Sequence, residues 1–170
     1  MAPRLLDLFS GSKSVSNFFE SKGWKVVTVD NEPGCHADYI EDLLEFMPPG
    51  DYDLIWASPP CTEFSKSFMP WYKGIIPDMR LVDRAFEIAE IKKPKYFILE
   101  NVLGSVRWIK PKYGAYRLRC GSRYLWGDFP LFTVNHKLCY GKWRLPPSEN
   151  RVLLRGMIPQ ELLTRLYEQL

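Results

Sequence analysis

Apolar and polar positions change period several times along the chain, and each change marks an element. Residues 4–9 form a short apolar run, and Ser10-Gly11-Ser12 breaks it. Residues 14–22 place Val15, Phe18 and Phe19 at helical spacing before Gly23. Lys25–Asp30 is β-branched and ends in an acid. Strand, glycine turn, helix and strand make a β-α-β unit, which predicts a parallel sheet. Residues 38–46 predict a short segment with Ile40, Leu43 and Leu44 inward and its acids outward. Leu54–Ala57 is a buried strand that stops at Pro59 and Pro60, which cannot donate to a ladder and which fix their own φ. Residues 62–78 show no period and predict a long loop. Residues 78–91 predict an amphipathic helix, and 95–100 another buried strand. Residues 116–126 predict strand material broken at Gly121, followed by a turn at Gly127-Asp128. Residues 131–144 read as irregular or hairpin-like, and 159–170 as a last helix with Leu162, Leu163, Leu166 and Leu170 on one stripe. Without repeats, low-complexity tracts or a dividing linker, residues 1–170 are expected to form a single α/β domain, with a mostly parallel sheet and helices on both faces.

Composition narrows the function only modestly. The chain has 170 residues, 46% hydrophobic and 25% charged, which is ordinary for a globular protein. No apolar run reaches membrane-spanning length and no signal-peptide layout precedes the first strand, so no membrane partner is expected and the cytoplasm is the expected compartment, that of the host if the source is viral. Four cysteines at irregular spacing do not suggest a disulfide framework. Cys35, His36, Cys120, His136 and Cys139 match no zinc spacing, so no metal is expected. A net charge of +3 permits a nucleic-acid partner without requiring one.

The chemistry concentrates at the carboxyl ends of the expected strands, where open α/β sheets bind ligands. Cys61 sits there after a rigid turn, which makes it a candidate nucleophile. Gly11 allows close approach to the backbone before a helix N-terminus, and Asp30 can accept hydrogen bonds from two ribose hydroxyls. With Asp42 within reach of an adenine amino group, these residues describe an adenosine-type pocket. Glu100 follows Phe-Ile-Leu, where an acid is costly to bury without a task. Residues 104–123 interleave bases with aromatics (Arg107, Trp108, Lys110, Lys112, Tyr113, Tyr116, Arg117, Arg119), which suits either phosphate contact with base stacking or a solvated basic face.

Taken together, these residues resemble the cytosine-C5 DNA methyltransferase family. Asp7-Leu8-Phe9-Ser10-Gly11 is similar to its first, S-adenosyl-L-methionine-binding motif; Ser58-Pro59-Pro60-Cys61 to its Pro-Cys motif; Glu100-Asn101-Val102 to its Glu-Asn-Val motif. The stretch from Arg123 to Pro130 is similar to the motif whose arginine contacts the target cytosine, and residues 155–170 to the helix that closes the cofactor pocket. The resemblance implies a Rossmann-like class I S-adenosylmethionine-dependent methyltransferase fold. It implies Cys61, Glu100 and Arg123 as catalytic residues. It implies Asp7, Phe9, Ser10, Gly11, Asp30, Asn31, Asp42 and Pro59 around S-adenosyl-L-methionine, and Ser58, Pro60, Thr62, Ser65, Asn101 and Arg119 toward the substrate, DNA in double- or single-stranded form.

Three features depart from the family pattern. The position two before Arg123 is Gly121, where many members carry a second polar residue. Lys13 replaces the second glycine of the first motif. Only about twenty residues separate Pro130 from Arg151, too few for the target-recognition domain expected there. The chain therefore resembles a minimal core of viral or prophage type, to which a partner chain or a second copy would supply recognition. The loop 62–78 is expected to be a mobile lid over the base. The competing expectations are a cofactor-binding protein with weak or partner-dependent activity, and a C5 methyltransferase acting on RNA or nucleotides.

Overall fold

The computed structural model describes residues 1–72, 74–139 and 157–170. Its elements are β1 (Arg4–Leu8), α1 (Ser14–Ser21), β2 (Lys25–Asp30), β3 (Tyr39–Ile40), β4 (Leu54–Ala57), α2 (Thr62–Phe68), α3 (Arg80–Lys92), β5 (Tyr96–Val102), α4 (Val106–Tyr113), β6 (Leu118–Cys120), β7 (Arg123–Asp128), α5 (His136–Cys139) and α6 (Gln160–Tyr167). The strands form one sheet in the order β3-β2-β1-β4-β5-β7-β6. The first five are mutually parallel, and β7 runs antiparallel to both β5 and β6. The chain reverses direction outward from β1, so the carboxyl ends of β1 and β4 flank the switch point, where a doubly wound sheet opens its ligand crevice.

Two-residue alternation sorts each strand's side chains between two apolar layers. Leu6, Leu8, Ile55, Ala57, Phe97, Leu99, Tyr124 and Trp126 meet Phe64 of α2, Val82, Ala85 and Ile88 of α3, and Ile109 of α4. Leu5, Leu54, Trp56, Ile98 and Leu125 meet Val15, Phe18 and Phe19 of α1, Cys139 of α5, and Leu162, Leu163 and Leu166 of α6. Helices thus cover both faces, and the α/β expectation holds with β5–β7 as its antiparallel exception.

Four local expectations are corrected, and one helix, at residues 106–113, had no expectation set against it. Residues 62–68 are not loop but the helix α2; only Phe64 and Ser67 are buried in it, and two positions in seven residues are too few to reveal a period. Residues 106–113 form a helix despite Pro111, and Ile109 alone is buried there, so its basic and aromatic content hid it. Gly127 and Asp128 continue β7 rather than turning. Ile40 points outward and is 46% exposed, since β3 pairs only with β2 at the sheet edge. Finally, Cys120 and Cys139 form a disulfide with Cα atoms 5.6 Å apart. Their separation of 19 residues carries no signal in the sequence; the pairing arises because α5 folds back onto edge strand β6. No described helix is long and apolar enough to cross a membrane. Residues 140–144 of the stretch read as irregular, and Arg155, lie outside the described residues.

Candidate active site

The turn after β1 is tightly wound. Phe9, Gly11 and Lys13 all have positive φ (61°, 40° and 53°), and the Phe9 and Ser10 N–H groups donate to the Val29 carbonyl at 2.9 and 3.2 Å. Asp30, at the end of β2, closes the turn from the other side. Its Oδ2 accepts from the Gly11 N–H and its Oδ1 from the Glu32 N–H, each at 2.9 Å. Each oxygen keeps a further lone pair. Lys13 holds a left-handed conformation at a position where glycine would carry no steric cost, and its Nζ donates to the His36 carbonyl at 2.5 Å. Asn31 is exposed beside this turn, and exposed Asp42 accepts from the Leu44 N–H at 2.9 Å.

Asp7 lies beneath the turn rather than in it. It is buried under α1, where the Ser16 hydroxyl donates to its Oδ2. Burial pushes its carboxyl up to about 7; the Ser16 hydrogen bonds pull down and the Asp30 charge adds to the rise. Ser16 was not anticipated, although a polar residue between Val15 and Phe18 on an otherwise apolar helix face was a signal.

The second half of the site lies after β4. The Ser58 N–H donates to the Leu8 carbonyl at 3.2 Å, extending the β1–β4 ladder by one bond, and the Ser58 hydroxyl accepts from Trp56 Nε1 at 2.8 Å. Buried Pro59 and exposed Pro60 then bring the chain to Cys61, an exposed residue that opens α2. Its carbonyl accepts from the Ser65 N–H at 2.9 Å, with exposed Thr62 in the same first turn. Asn101 is fully buried; its Nδ2 donates to the Pro59 carbonyl at 3.2 Å. The structure thus ties Asn101 to the proline turn and not to open solvent.

Glu100 and Arg123 supply the charges. The register sets Glu100 opposite Leu125 and Arg123 opposite Val102, so the two side chains are diagonal neighbours on one face. Arg123 Nη1 donates to Glu100 Oε1 at 2.9 Å, and the side chains are only 11% and 7% exposed. Arg123 Nη2 also donates to the Met157 carbonyl at 2.6 Å. Next to Met157, the Ile158 N–H donates to Ser14 Oγ at 2.9 Å. The segment entering α6 therefore bridges Arg123 and the start of α1. Both charges reach Cys61: desolvation by the surrounding protein pushes the thiol up, the Glu100 carboxylate adds to the rise, and Arg123 opposes it. Arg119 is on the opposite face of the β6–β7 ladder, over the Tyr124 ring at 5.5 Å and donating to the Gly121 carbonyl at 2.9 Å.

A family model for the C-5 cytosine-specific DNA methylases matches residues 4–108, a stretch that holds both halves of this site apart from Arg123. The chain belongs to that family. A frog virus 3 (isolate Goorha) protein named "Probable DNA (cytosine-5)-methyltransferase" is 38% identical over 116 residues, 58% of this chain and 53% of its own length. The type II methyltransferase M.AquIA of Picosynechococcus is 25% identical over 182 residues, 92% of this chain and 72% of its own. Among solved structures, the Entamoeba histolytica methyltransferase EhMeth is similar at a TM-score of 0.46 and 19% identity, over 61% of this chain and 39% of that one. The chain thus spans about half the length of the viral relative it matches.

Family membership implies a cofactor of the S-adenosylmethionine type, and the turn after β1 fits one. Among the described residues, Ser10 Oγ is buried without a hydrogen-bond partner, a state that costs about 1–3 kcal/mol until a polar group arrives. A Cβ at Gly11 would meet nothing closer than the Phe9 carbonyl oxygen at 3.8 Å, so the space over this turn is open. The extended lid is corrected. The Asp78 N–H donates to Glu63 Oε2 at 2.8 Å, which ties the far end of the loop to α2 and confines irregular backbone to the segment after Phe68. That segment carries exposed Met69, Trp71, Tyr72 and Ile76. By contrast, Tyr113 in the basic stretch stacks on Phe86 at 3.7 Å and so serves internal packing, while exposed Lys112 pairs with Asp83 at 3.0 Å on the surface.

Proposed function

We propose that the chain methylates C5 of cytosine in DNA through a covalent bond from Cys61 Sγ to C6 of the base. The observation that carries the reading is the convergence of Cys61, an exposed residue, with the buried Glu100–Arg123 pair at the carboxyl edge of β4 and β5, one strand from the Asp30-closed turn. The Cys61 thiolate adds its electron pair to C6, which makes C5 nucleophilic. Glu100 donates a hydrogen bond or proton at N3, and Arg123 stabilises charge at O2. S-adenosyl-L-methionine, when bound, supplies the electrophilic methyl group. It would be held by Phe9, Ser10, Gly11 and Asp30, with Asn31, Asp42 and Pro59 at its margin. Loss of the C5 proton then lets the C5 electron pair expel the thiolate and restore the aromatic base. A base within a duplex is out of reach of Cys61, so it is extruded or already single-stranded, and the aromatic segment after Phe68 covers it.

The test is DNA carrying 5-fluorocytosine, whose fluorine cannot leave as a cation. The protein should form an adduct that survives denaturing electrophoresis. Cys61→Ser should abolish it, while Cys35→Ser should leave it. An adduct in Cys61→Ser, or none in any form on duplex DNA, single-stranded DNA, tRNA or deoxycytidylate, refutes the reading. The roughly twenty residues between Pro130 and Arg151 favour a second reading, in which a partner chain or second copy completes target recognition. Methyl transfer rising with the square of protein concentration supports the second copy.

A further inference from the structure

We infer that Gly104 is a positioning residue, a close-contact rest for α2 that sets where Cys61 stands relative to Glu100. The inference rests on the reading of Cys61 as the nucleophile. Gly104 lies four residues after Glu100, in the single 3-10 turn that follows β5. A Cβ built there would overlap the Phe64 carbonyl oxygen outright, sit 2.8 Å from the Phe64 carbonyl carbon and 3.2 Å from Phe68 Cβ. Ordinary carbon–carbon contact begins near 3.5 Å, so even alanine forces the two backbones roughly 1 Å apart. Rotating the Phe64 carbonyl away would break the hydrogen bond it accepts from the Ser67 hydroxyl at 2.9 Å. The φ of Gly104 lies outside the left-handed region, so contact and not backbone strain is what excludes a side chain.

Two further contacts bind the same pair of segments. Asn101 Nδ2 holds the Pro59 carbonyl, two residues before Cys61, at 3.2 Å. Trp108 Nε1 donates to Ser67 Oγ at 3.3 Å, six residues after it. Cys61 is therefore bracketed on both sides by the segment that carries Glu100. Since the Cys61 carbonyl is part of the first turn of α2, a shift of the helix is a shift of the thiol.

The experiment compares wild type, Gly104→Ala and Trp108→Phe in two assays. The first is methyl transfer and adduct formation. Gly104→Ala should slow both about 100-fold, the scale of a 1 Å misplacement, with calorimetric affinity for S-adenosylhomocysteine unchanged. The second is iodoacetamide alkylation of Cys61, read by peptide mass spectrometry with Cys35 as the internal standard, and it needs no activity. Moving the thiol outward relieves its burial and takes it away from both Glu100, which raises its pKa, and Arg123, which lowers it; the two raising causes are the larger, so Cys61 should alkylate severalfold faster while Cys35 keeps its rate. Trp108→Phe loosens α2 without adding volume, so it should give the same pair of opposed changes at smaller size. This keeps the test open if Gly104→Ala does not fold. Full methyl transfer in Gly104→Ala, or an unchanged Cys61-to-Cys35 ratio in both variants, overturns the inference. If wild type is inert on every nucleic acid but the alkylation ratio still shifts, the positioning stands and the proposed reaction falls.

Discussion

Arg123→Met tests the energetics and the chemistry of the site together. The Arg123–Glu100 pair is 2.9 Å long and nearly excluded from water, with side chains 11% and 7% exposed. Two ions so placed have lost most of their hydration, and their mutual attraction offsets that loss only while both are present. Removing Arg123 leaves Glu100 with an uncompensated buried charge, and it also takes a donor from the Met157 carbonyl. The expected cost is about 3–5 kcal/mol. Glu100→Met should cost a similar amount, because it takes the carboxylate from a guanidinium that stays buried. The double variant buries two apolar side chains of similar length and should lie within about 2 kcal/mol of wild type. Urea unfolding followed by tryptophan fluorescence reads all three, since Trp56 and Trp126 are fully buried reporters. Thiol reactivity adds a sign test. Arg123 pulls the Cys61 pKa down and Glu100 pushes it up. Iodoacetamide at constant pH should therefore modify Cys61 more slowly in Arg123→Met and faster in Glu100→Met. A double variant as unstable as the sum of the singles, or alkylation changes of the same sign in both, would refute the reasoning.

Two predictions concern the surroundings of the site. Asp7 titrates near 7 in the folded chain against 3.8 ordinarily, so the folded state holds its proton more tightly. That contribution to stability is complete below 3.8 and is lost as pH rises to about 7. Asp7→Asn keeps an acceptor for Ser16 but cannot ionise, so its stability relative to wild type should rise by roughly 2–3 kcal/mol between pH 5 and pH 8, and a flat difference in urea unfolding excludes the buried acid. The Cys120–Cys139 bond closes a loop of 19 residues' separation, so its reduction should cost about 3 kcal/mol in the loop-entropy account. Titration of all four cysteines by a thiol reagent in unreduced, denatured protein would show that the bond is absent.

What the sequence made legible was whatever a short pattern encodes locally. The strands β1, β4 and β5, which carry Asp7, lead to Cys61 and carry Glu100, are buried on both faces and read as apolar runs, while β2, which ends in Asp30, is only partly buried and reads from its β-branched residues; proline or glycine follows two of the four. Their parallel order then brings those residues to one edge without any knowledge of side-chain packing. The features that escaped are those set by what packs against what. Thr62–Phe68 buries two side chains, so its helix exists because β5 and the turn after it give Phe64 a place to go, and no period announces it. Cys120 and Cys139 look unrelated until α5 returns to β6. Arg119 and Arg123 look interchangeable in a basic stretch, yet Gly121 and the β6–β7 ladder send them to opposite faces, one onto Tyr124 and the other onto Glu100. Gly104 is the sharpest case. A glycine after Glu-Asn-Val-Leu could serve a turn, a hinge or nothing, and only the carbonyl of Phe64 pressed against it identifies the task. The same contact accounts for the correction of the lid. Pinned by Gly104, Asn101 and Trp108, α2 belongs to the body that holds Glu100, and only the aromatic segment beyond it is left for the proposed lid.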